Sequence, residues 1–355
     1  MFENLPQSAE EFKSQMLSEC IQALKLNTFG DNFDYERYNT NGNDISGIFY
    51  PGERAFWFSW FTENSDKIFK AMQLLGDEGS KRLYLIVIAF RLAGHHSVRI
   101  PVDFSESDEI WKQYCELEKF EISKLELTGM FGKMRHYDFQ FKGKHYVGDC
   151  LGFKYLLHRN QYFFDNGQVS ISPSEGDHVI DGGACLGDTA LVFGNAVGSN
   201  GKVYAFDPVY EHVQVLEHNA KLNPALNIKI FPCGLSDSDH MCDPIRVNTY
   251  SPGFRVAGNK VPLRAIDSLV IEKEIEKIDY IKLDVEGAEL SSLKGAMGSI
   301  RLFKPKLGVS LYHKPNDIFE IPIFLNENFP DYQMYINHYT IHNEETVLYC
   351  TSPNH

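Results

Sequence analysis

The residues with the most chemical potential lie in His178-Val-Ile-Asp181-Gly182-Gly183-Ala184-Cys185-Leu186-Gly187-Asp188-Thr189, where a carboxylate ends an apolar run and a glycine-rich turn follows. The apolar run reads as a strand. Gly182, Gly183 and Gly187 let backbone approach a ligand closely, and Asp188-Thr189 can start a helix. A pyrophosphate turn reads G-x-G-x-x-G without an acid facing the ligand, because two phosphates already carry negative charge. An acid at the head of the turn suits a ligand with a cationic end, such as the sulfonium and ammonium groups of S-adenosylmethionine. Glycines alone would equally serve tight packing.

Other polar residues recur at the same relative place. Asp207 closes the run Lys202–Phe206, Asp237 lies just past Ile228–Phe231, Asp284 and Glu286 follow Asp279–Leu283, and His313 follows Lys306–Leu311. In an open α/β sheet, ligands bind beyond the carboxyl ends of the strands. Any one of these groups reads equally well as a helix cap or a solvated acid; the recurrence is the signal. Asp207 stands near the offset of roughly 20 residues at which an acid on the second strand accepts from ribose hydroxyls. That fits the adenosine of S-adenosylmethionine and of NAD alike. The sequence Gly182-Gly-Ala-Cys-Leu-Gly187 lacks the dinucleotide pattern, which disfavours NAD.

The elements that must position these groups form a strand-helix alternation from about Gln168 nearly to the end, which predicts a doubly wound sheet. Tyr332–Asn337 and Thr346–Cys350 read as a final antiparallel pair, and 238–262 as a polar insertion able to act as a lid. The first part has another texture. Glu10–Leu26, Asn64–Leu75 and Lys81–Leu92 read as helices, Asp31–Gly47 as loop, and His95–Ile100 as a lead into a strand. Tyr137–Phe141 and His145–Val147, joined by Lys142-Gly-Lys, read as a hairpin. The aromatic block Ile48–Phe61 resembles a sugar-stacking platform, but at helical spacing it reads as core. His95 and His96, as neighbours, point apart in helix or strand and make a poor metal pair.

Composition narrows the class. The chain has 355 residues, 43% hydrophobic, enough for two domains. A formal charge of -14 argues against nucleic acid and anionic membranes as partners. Seven cysteines without C-x-x-C read as reduced thiols of a cytoplasmic protein, and the N-terminal residues show no secretory signal pattern. The apolar run Leu83–Phe90 is too short to span a bilayer.

Taken together, Asp181–Thr189, Phe206-Asp207-Pro208, Leu235-Ser236-Asp237, Ile266-Asp-Ser-Leu269 and Ile281-Lys-Leu-Asp284-Val-Glu286-Gly-Ala-Glu289 resemble the FkbM family of S-adenosylmethionine-dependent methyltransferases. The resemblance covers about Gln161–Cys350. It implies an α/β class I methyltransferase fold, a Rossmann-like doubly wound sheet of seven strands with the last antiparallel. It also implies O-methylation of sugars or natural products. By motif, Asp181, Gly182, Gly183, Ala184, Cys185, Gly187, Asp188 and Thr189 would cradle the methionine and sulfonium part, with Asp284 nearby. Phe206, Asp207 and Pro208 would meet the ribose, and Leu235, Ser236 and Asp237 the adenine. Asp207 departs from the Glu of many members, yet still offers both oxygens. Residues 1–160 match no chemistry and read as a mixed α/β domain for substrate selection or homo-oligomerisation, before a methyltransferase domain at 161–355.

The expected reaction is in-line methyl transfer to a hydroxyl of a sugar or glycoconjugate, a small-molecule or glycan acceptor. Alignment and exclusion of water supply much of the rate, and a positioned base adds roughly 10² to 10⁴. Asp284, Glu286 and His313 are the candidates for the catalytic groups. His313 is the expected base, since an unperturbed imidazole of pKa near ~6.5 is largely neutral at cytoplasmic pH. The same three groups are also a ligand set for Mg²⁺, a less favoured arrangement. Alternatives are an NAD-dependent dehydrogenase with a degenerate site and a silent cofactor-binding module that docks a partner.

Overall fold

The structure is a computed structural model that describes residues 1–26, 29, 32, 51–102, 119–125, 134–243 and 260–353. Three helices come first, α1 (Ala9–Leu26), α2 (Pro51–Gln73) and α3 (Glu78–Ala93). Next come β1 (Phe120–Ile122), β2 (Arg135–Phe141), β3 (Lys144–Cys150), a π-helical turn (Lys154–His158), β4 (Phe164–Asp165) and β5 (Ser170–Ile171). The alternation begins with β6 (His178–Gly182), α4 (Asp188–Val197), β7 (Lys202–Phe206), α5 (Tyr210–Leu222) and β8 (Ile228–Phe231). After it come β9 (Gly234–Leu235), β10 (His240–Cys242), β11 (Val261–Arg264), α6 (Ile266–Ile271), β12 (Tyr280–Leu283), α7 (Glu289–Lys294), α8 (Met297–Phe303) and β13 (Lys306–Ser310). The last elements are α9 (Asp317–Asn328), β14 (Gln333–His338) and β15 (Thr346–Thr351).

Seven strands form one mixed sheet in the order β14-β15-β13-β12-β6-β7-β8. The five strands β13, β12, β6, β7 and β8 run parallel, in registers that set Leu283 and Phe206 on either side of Gly182. Strands β7 and β12 are buried along almost their whole length, which is why they read as unbroken apolar runs. By internal packing the chain divides into two units, Met1–Asp103 with Leu311–Leu348, and Phe104–Ser310 with Tyr349–His355. The sequence boundary near residue 160 falls inside the second unit.

In the first unit, α1 buries Phe12, Met16, Cys20 and Ala23, a single stripe at helical spacing. Helix α3 starts where Asp77 accepts from the Ser80 amide at 2.6 Å and stops at Gly94, and between them it is buried on nearly all sides. Of the aromatic block, Trp60 and Phe61 are core, whereas Phe56 is 52% exposed. His95 and His96 lie in a turn, not leading into a strand, and their ring centroids lie 4.0 Å apart at a tilt of 41°. The buried Arg91 donates to the Leu311 and Pro315 carbonyls.

In the second unit, β2 and β3 form the expected hairpin, turned at Lys142 and Gly143, both at positive φ as a two-residue primed turn requires. Asn219 of α5 ties this hairpin to the sheet. Its Oδ1 accepts from the Asp149 amide, and its Nδ2 donates to the carbonyls of Asp149 and Leu186. Strands β9, β10 and β11 make a small separate sheet flanking 244–259. Those residues, most of the expected insertion, lie outside the described residues, as does nearly all of the Asp31–Gly47 loop. Among the described residues, no helix is long and apolar enough to cross a membrane.

Candidate cofactor site

The crevice of a doubly wound sheet opens where successive connections leave one strand for opposite sides. Here that strand is β6: the chain goes from it to β7 on one side, and β12 lies on the other. The carboxyl ends of these three strands therefore bring Gly183, Asp207 and Asp284 to neighbouring positions.

The glycine turn is shaped by internal packing. A Cβ on Gly183, at φ +77°, would lie 1.8 Å from the Asp284 carbonyl oxygen. A Cβ on Gly187, at φ +95°, would lie 2.6 Å from Leu216, and one on Gly182 would lie 2.9 Å from Leu235. The Gly183 and Ala184 amides both donate to the Phe206 carbonyl, so the turn is pinned to the end of β7. Cys185 follows at φ +46°, a left-handed conformation uncommon outside glycine.

Asp181 is wholly buried, and its charge is answered within the chain. Lys282, also buried, lies 3.1 Å from Oδ1, and the Thr189 hydroxyl donates to Oδ2 at 2.7 Å. Lys282 also donates to the Gly183 carbonyl at 2.8 Å. Burial would push the Lys282 ammonium down, but Asp181, with Asp284 and Asp188, outweighs it and holds the group above its ordinary range. The acid assigned from sequence to a cationic ligand thus has its cation in the neighbouring strand. The ion-pair partner of Lys282 is Asp181.

Asp188, the first residue of α4, is half-buried. Burial pushes its carboxyl up to about 6, against the Thr189 amide and Lys282 and with help from Asp181. At the end of β7, Asp207 Oδ2 accepts from the Cys185 amide at 3.0 Å, and Oδ1 accepts from the Val209 amide at 2.8 Å. Oδ1 also lies 3.0 Å from His212 Nδ1. Sequence reasoning missed His212; the signal was an imidazole in the first turns of the helix that follows Asp207-Pro208. Burial would lower the His212 pKa; Cys185 and Asp207 outweigh it and raise it to about 11.

The β12 turn carries Asp284, half-buried, and Glu286, exposed and at φ +55°. The buried Glu289 accepts from the Val285 and Gly287 amides through one oxygen and closes the turn. Tyr162 donates its hydroxyl to Asp284 Oδ2 at 2.9 Å. It is held there by the Tyr349 hydroxyl, which accepts from its amide, and the Tyr280 hydroxyl, which donates to its carbonyl. Ser236 and Asp237 sit past β9, bonded to Ser291 of α7, and Leu235 packs at Gly182. The second unit thus gathers every residue read from sequence except His313, which belongs to the first unit with Leu311–Leu348.

The donor set fits an adenosyl cofactor. A carboxylate offers about four acceptor positions. The chain fills three of them on Asp207, which leaves room for a ribose hydroxyl.

Residues 181–340 match the methyltransferase FkbM domain. A methyltransferase FkbM from Methylobacillus flagellatus KT shares the fold at a TM-score of 0.54 and 21% identity; the match covers 83% of this chain and 60% of that one. Fibrillarin from Aeropyrum pernix, in complex with natively bound S-adenosyl-L-methionine, aligns at a TM-score of 0.38 and 13% identity, over 65% of this chain and 86% of that one. A SAM dependent methyltransferase from Aquifex aeolicus aligns at 0.34 and 15%, over 51% and 85%. No curated protein sequence matches the chain. Strand order, turn and family match converge on one conclusion: residues 181–340 form a domain of the FkbM methyltransferase family.

Proposed function

We propose that the protein is an S-adenosylmethionine-dependent O-methyltransferase whose acceptor is a hydroxyl of a sugar or glycoconjugate. The observation that carries the reading is the FkbM domain match on a sheet whose switch point gathers the Gly183 turn, Asp207 and Asp284. In it, Asp207 would hold the ribose, Ser236 and Asp237 the adenine edge, and Asp188 with the turn from Gly183 to Thr189 the methionine part. The bound cofactor supplies an electrophilic methyl group on a positive sulfur.

The chain's own residues would do the rest. Lys282 neutralises Asp181 and holds the Gly183 carbonyl, so the turn keeps its shape without a ligand. Tyr162 donates to Asp284 Oδ2 and fixes the carboxylate that would orient an acceptor hydroxyl, with Glu286 at the exposed edge. His313 stays the proposed base on sequence grounds, as the polar residue after β13. Mg²⁺ at Asp284, Glu286 and His313 is the less favoured arrangement, and turnover is expected to survive exhaustive chelation.

Calorimetry with S-adenosylhomocysteine and with NAD(H) tests the cofactor: binding of the first and not the second is expected, and the reverse result favours a dehydrogenase. Transfer of labelled methyl groups to a panel of sugars and glycans tests the acceptor. Binding without transfer to any of them would favour a silent module. Near-normal turnover of His313→Ala with intact binding would remove the base role.

A further inference from the structure

The loop that carries His313 is held at both ends by one side chain of the first unit. Arg91, in the last turn of α3 and buried, donates from Nη2 to the Leu311 carbonyl at 3.2 Å and from Nη1 to the Pro315 carbonyl at 3.1 Å. His313 is the middle residue between those two ends. A guanidinium is a rigid planar fork, so two bonds from one fork fix the separation of the carbonyls they reach. The fork is itself pinned, since the Trp57 and Trp60 rings of α2 lie 5.6 and 5.9 Å from its carbon. Burial lowers the Arg91 pKa to about 10, against Tyr84 and Asp317, so the group stays charged at neutral pH.

The flanks of the loop are secured in the same unit. The Leu311 amide donates to the Thr346 carbonyl at 2.9 Å, and the Asp317 carboxylate accepts from the Lys314 amide at 2.9 Å. Trp60 Nε1 donates to Asn316 Oδ1 at 2.8 Å. Beside His313, the Tyr312 ring lies 4.2 Å from the imidazole ring, and the Tyr312 hydroxyl donates to Glu345 at 3.3 Å. We propose that Arg91 is a positioning residue, holding the 311–315 loop in the conformation that presents His313 for methyl transfer. The proposal rests on the reading of His313 as the base. A space-filling role would need neither charge nor fork: an apolar side chain could occupy the place beside the two indoles, but the Leu311 and Pro315 carbonyls would lose these donors and the loop its fixed span. The helices of the first unit would then serve the reaction without touching the acceptor.

Hydrogen exchange of the full chain, read by mass spectrometry on peptides covering 311–318, compares Arg91→Met and Arg91→Lys with the parent. Loss of two charge-assisted hydrogen bonds should speed exchange of the Lys314 and Asp317 amides about ten-fold or more in Arg91→Met, with β6 and β7 unchanged. Arg91→Lys keeps the charge but not the fork and should loosen the loop too; it decides the matter if Arg91→Met does not fold. Parent-like exchange there in either folded variant, or equal acceleration throughout the chain, overturns the proposal. Turnover separates positioning from packing. On the acceptor that labelled-methyl transfer identifies, both variants should lose kcat about ten-fold or more while calorimetric binding of S-adenosylhomocysteine is kept. In a His313→Ala background the same changes should have little further effect, and an undiminished loss there overturns action through His313. If His313→Ala alone leaves turnover near normal, the base reading fails, while the exchange rates still decide whether Arg91 holds the loop.

Discussion

Two strand-to-helix turns stand side by side at the ends of β6 and β12, and they handle charge in opposite ways. The β6 turn keeps its acid inside the strand: Asp181 is fully buried, and its oxygens meet Lys282 and Thr189. The β12 turn carries its acids past the strand end, with Asp284 half-buried and Glu286 exposed. Each turn places a non-glycine residue at positive φ, Cys185 in one and Glu286 in the other. A sealed charge costs desolvation that only a partner offsets, so Asp181 and Lys282 serve the shape of the turn. Asp284 and Glu286, at the crevice, are the acids proposed to serve chemistry. The difference teaches that, of two acids at adjacent strand ends, the buried one is already paired within the chain.

Breaking the sealed pair should have the largest effect on the fold. Lys282→Met leaves Asp181 buried without its cation and is expected to cost about 3 to 5 kcal/mol of unfolding free energy, read by urea denaturation. Adding Asp181→Leu removes the stranded charge, and much of that loss should return. A cost below about 1 kcal/mol for Lys282→Met would mean that water reaches Asp181 and that the contrast with β12 is wrong.

The opposite pattern is expected at the other turn. Asp284→Asn should lower turnover about 10²-fold or more while urea denaturation stays within about 1 kcal/mol of the parent. Glu286→Gln, at the exposed edge, should do less. A large loss of stability with normal specific activity would reassign Asp284 to the scaffold.

The strand ends were legible in the sequence because β7 and β8 run between recognisable turns, and both strands have the expected bounds. Helix α9 was not read, since Pro322 lies inside it and breaks the helical pattern. The helical stretch after β12 is two short helices, α7 and α8, parted at Gly295 and Ala296. The glycines and acids of the site stood out by type. Their partners did not: Lys282 meets Asp181 only because β12 pairs with β6, and Tyr162 reaches Asp284 only through the fold. Sequence gives the donors and acceptors, and tertiary pairing decides which of them is already satisfied.

Between the two extremes stands Asp188, half-buried at the start of α4. Its carboxyl is raised to about 6, above its ordinary value, so ionising it is harder in the folded protein than in the unfolded chain. The destabilisation is absent below about pH 4, grows as pH rises, and is complete above about pH 6. Asp188→Asn should therefore match the parent at pH 4 and exceed it by about 1 to 2 kcal/mol at pH 7, after allowance for solvent screening. Equal stability at both pH values would show that Asp188 ionises as it does in water.

The smallest effect isolates one hydrogen bond. Tyr162 is fixed by its amide to Tyr349, by its carbonyl to Tyr280 and by its ring under the Lys282 ammonium, so Tyr162→Phe removes a donor without releasing the side chain. A single hydrogen bond contributes about 1 kcal/mol, so stability should change little and kcat/KM should fall roughly five-fold. The change should appear in kcat if Tyr162 orients Asp284 for transfer, and in KM if it only shapes the pocket. In an Asp284→Asn background the loss should shrink, since the phenol's ionised acceptor is gone. Undiminished loss there would mean that Tyr162 contacts the acceptor itself, and the chemistry at β12 would then reach beyond its acids.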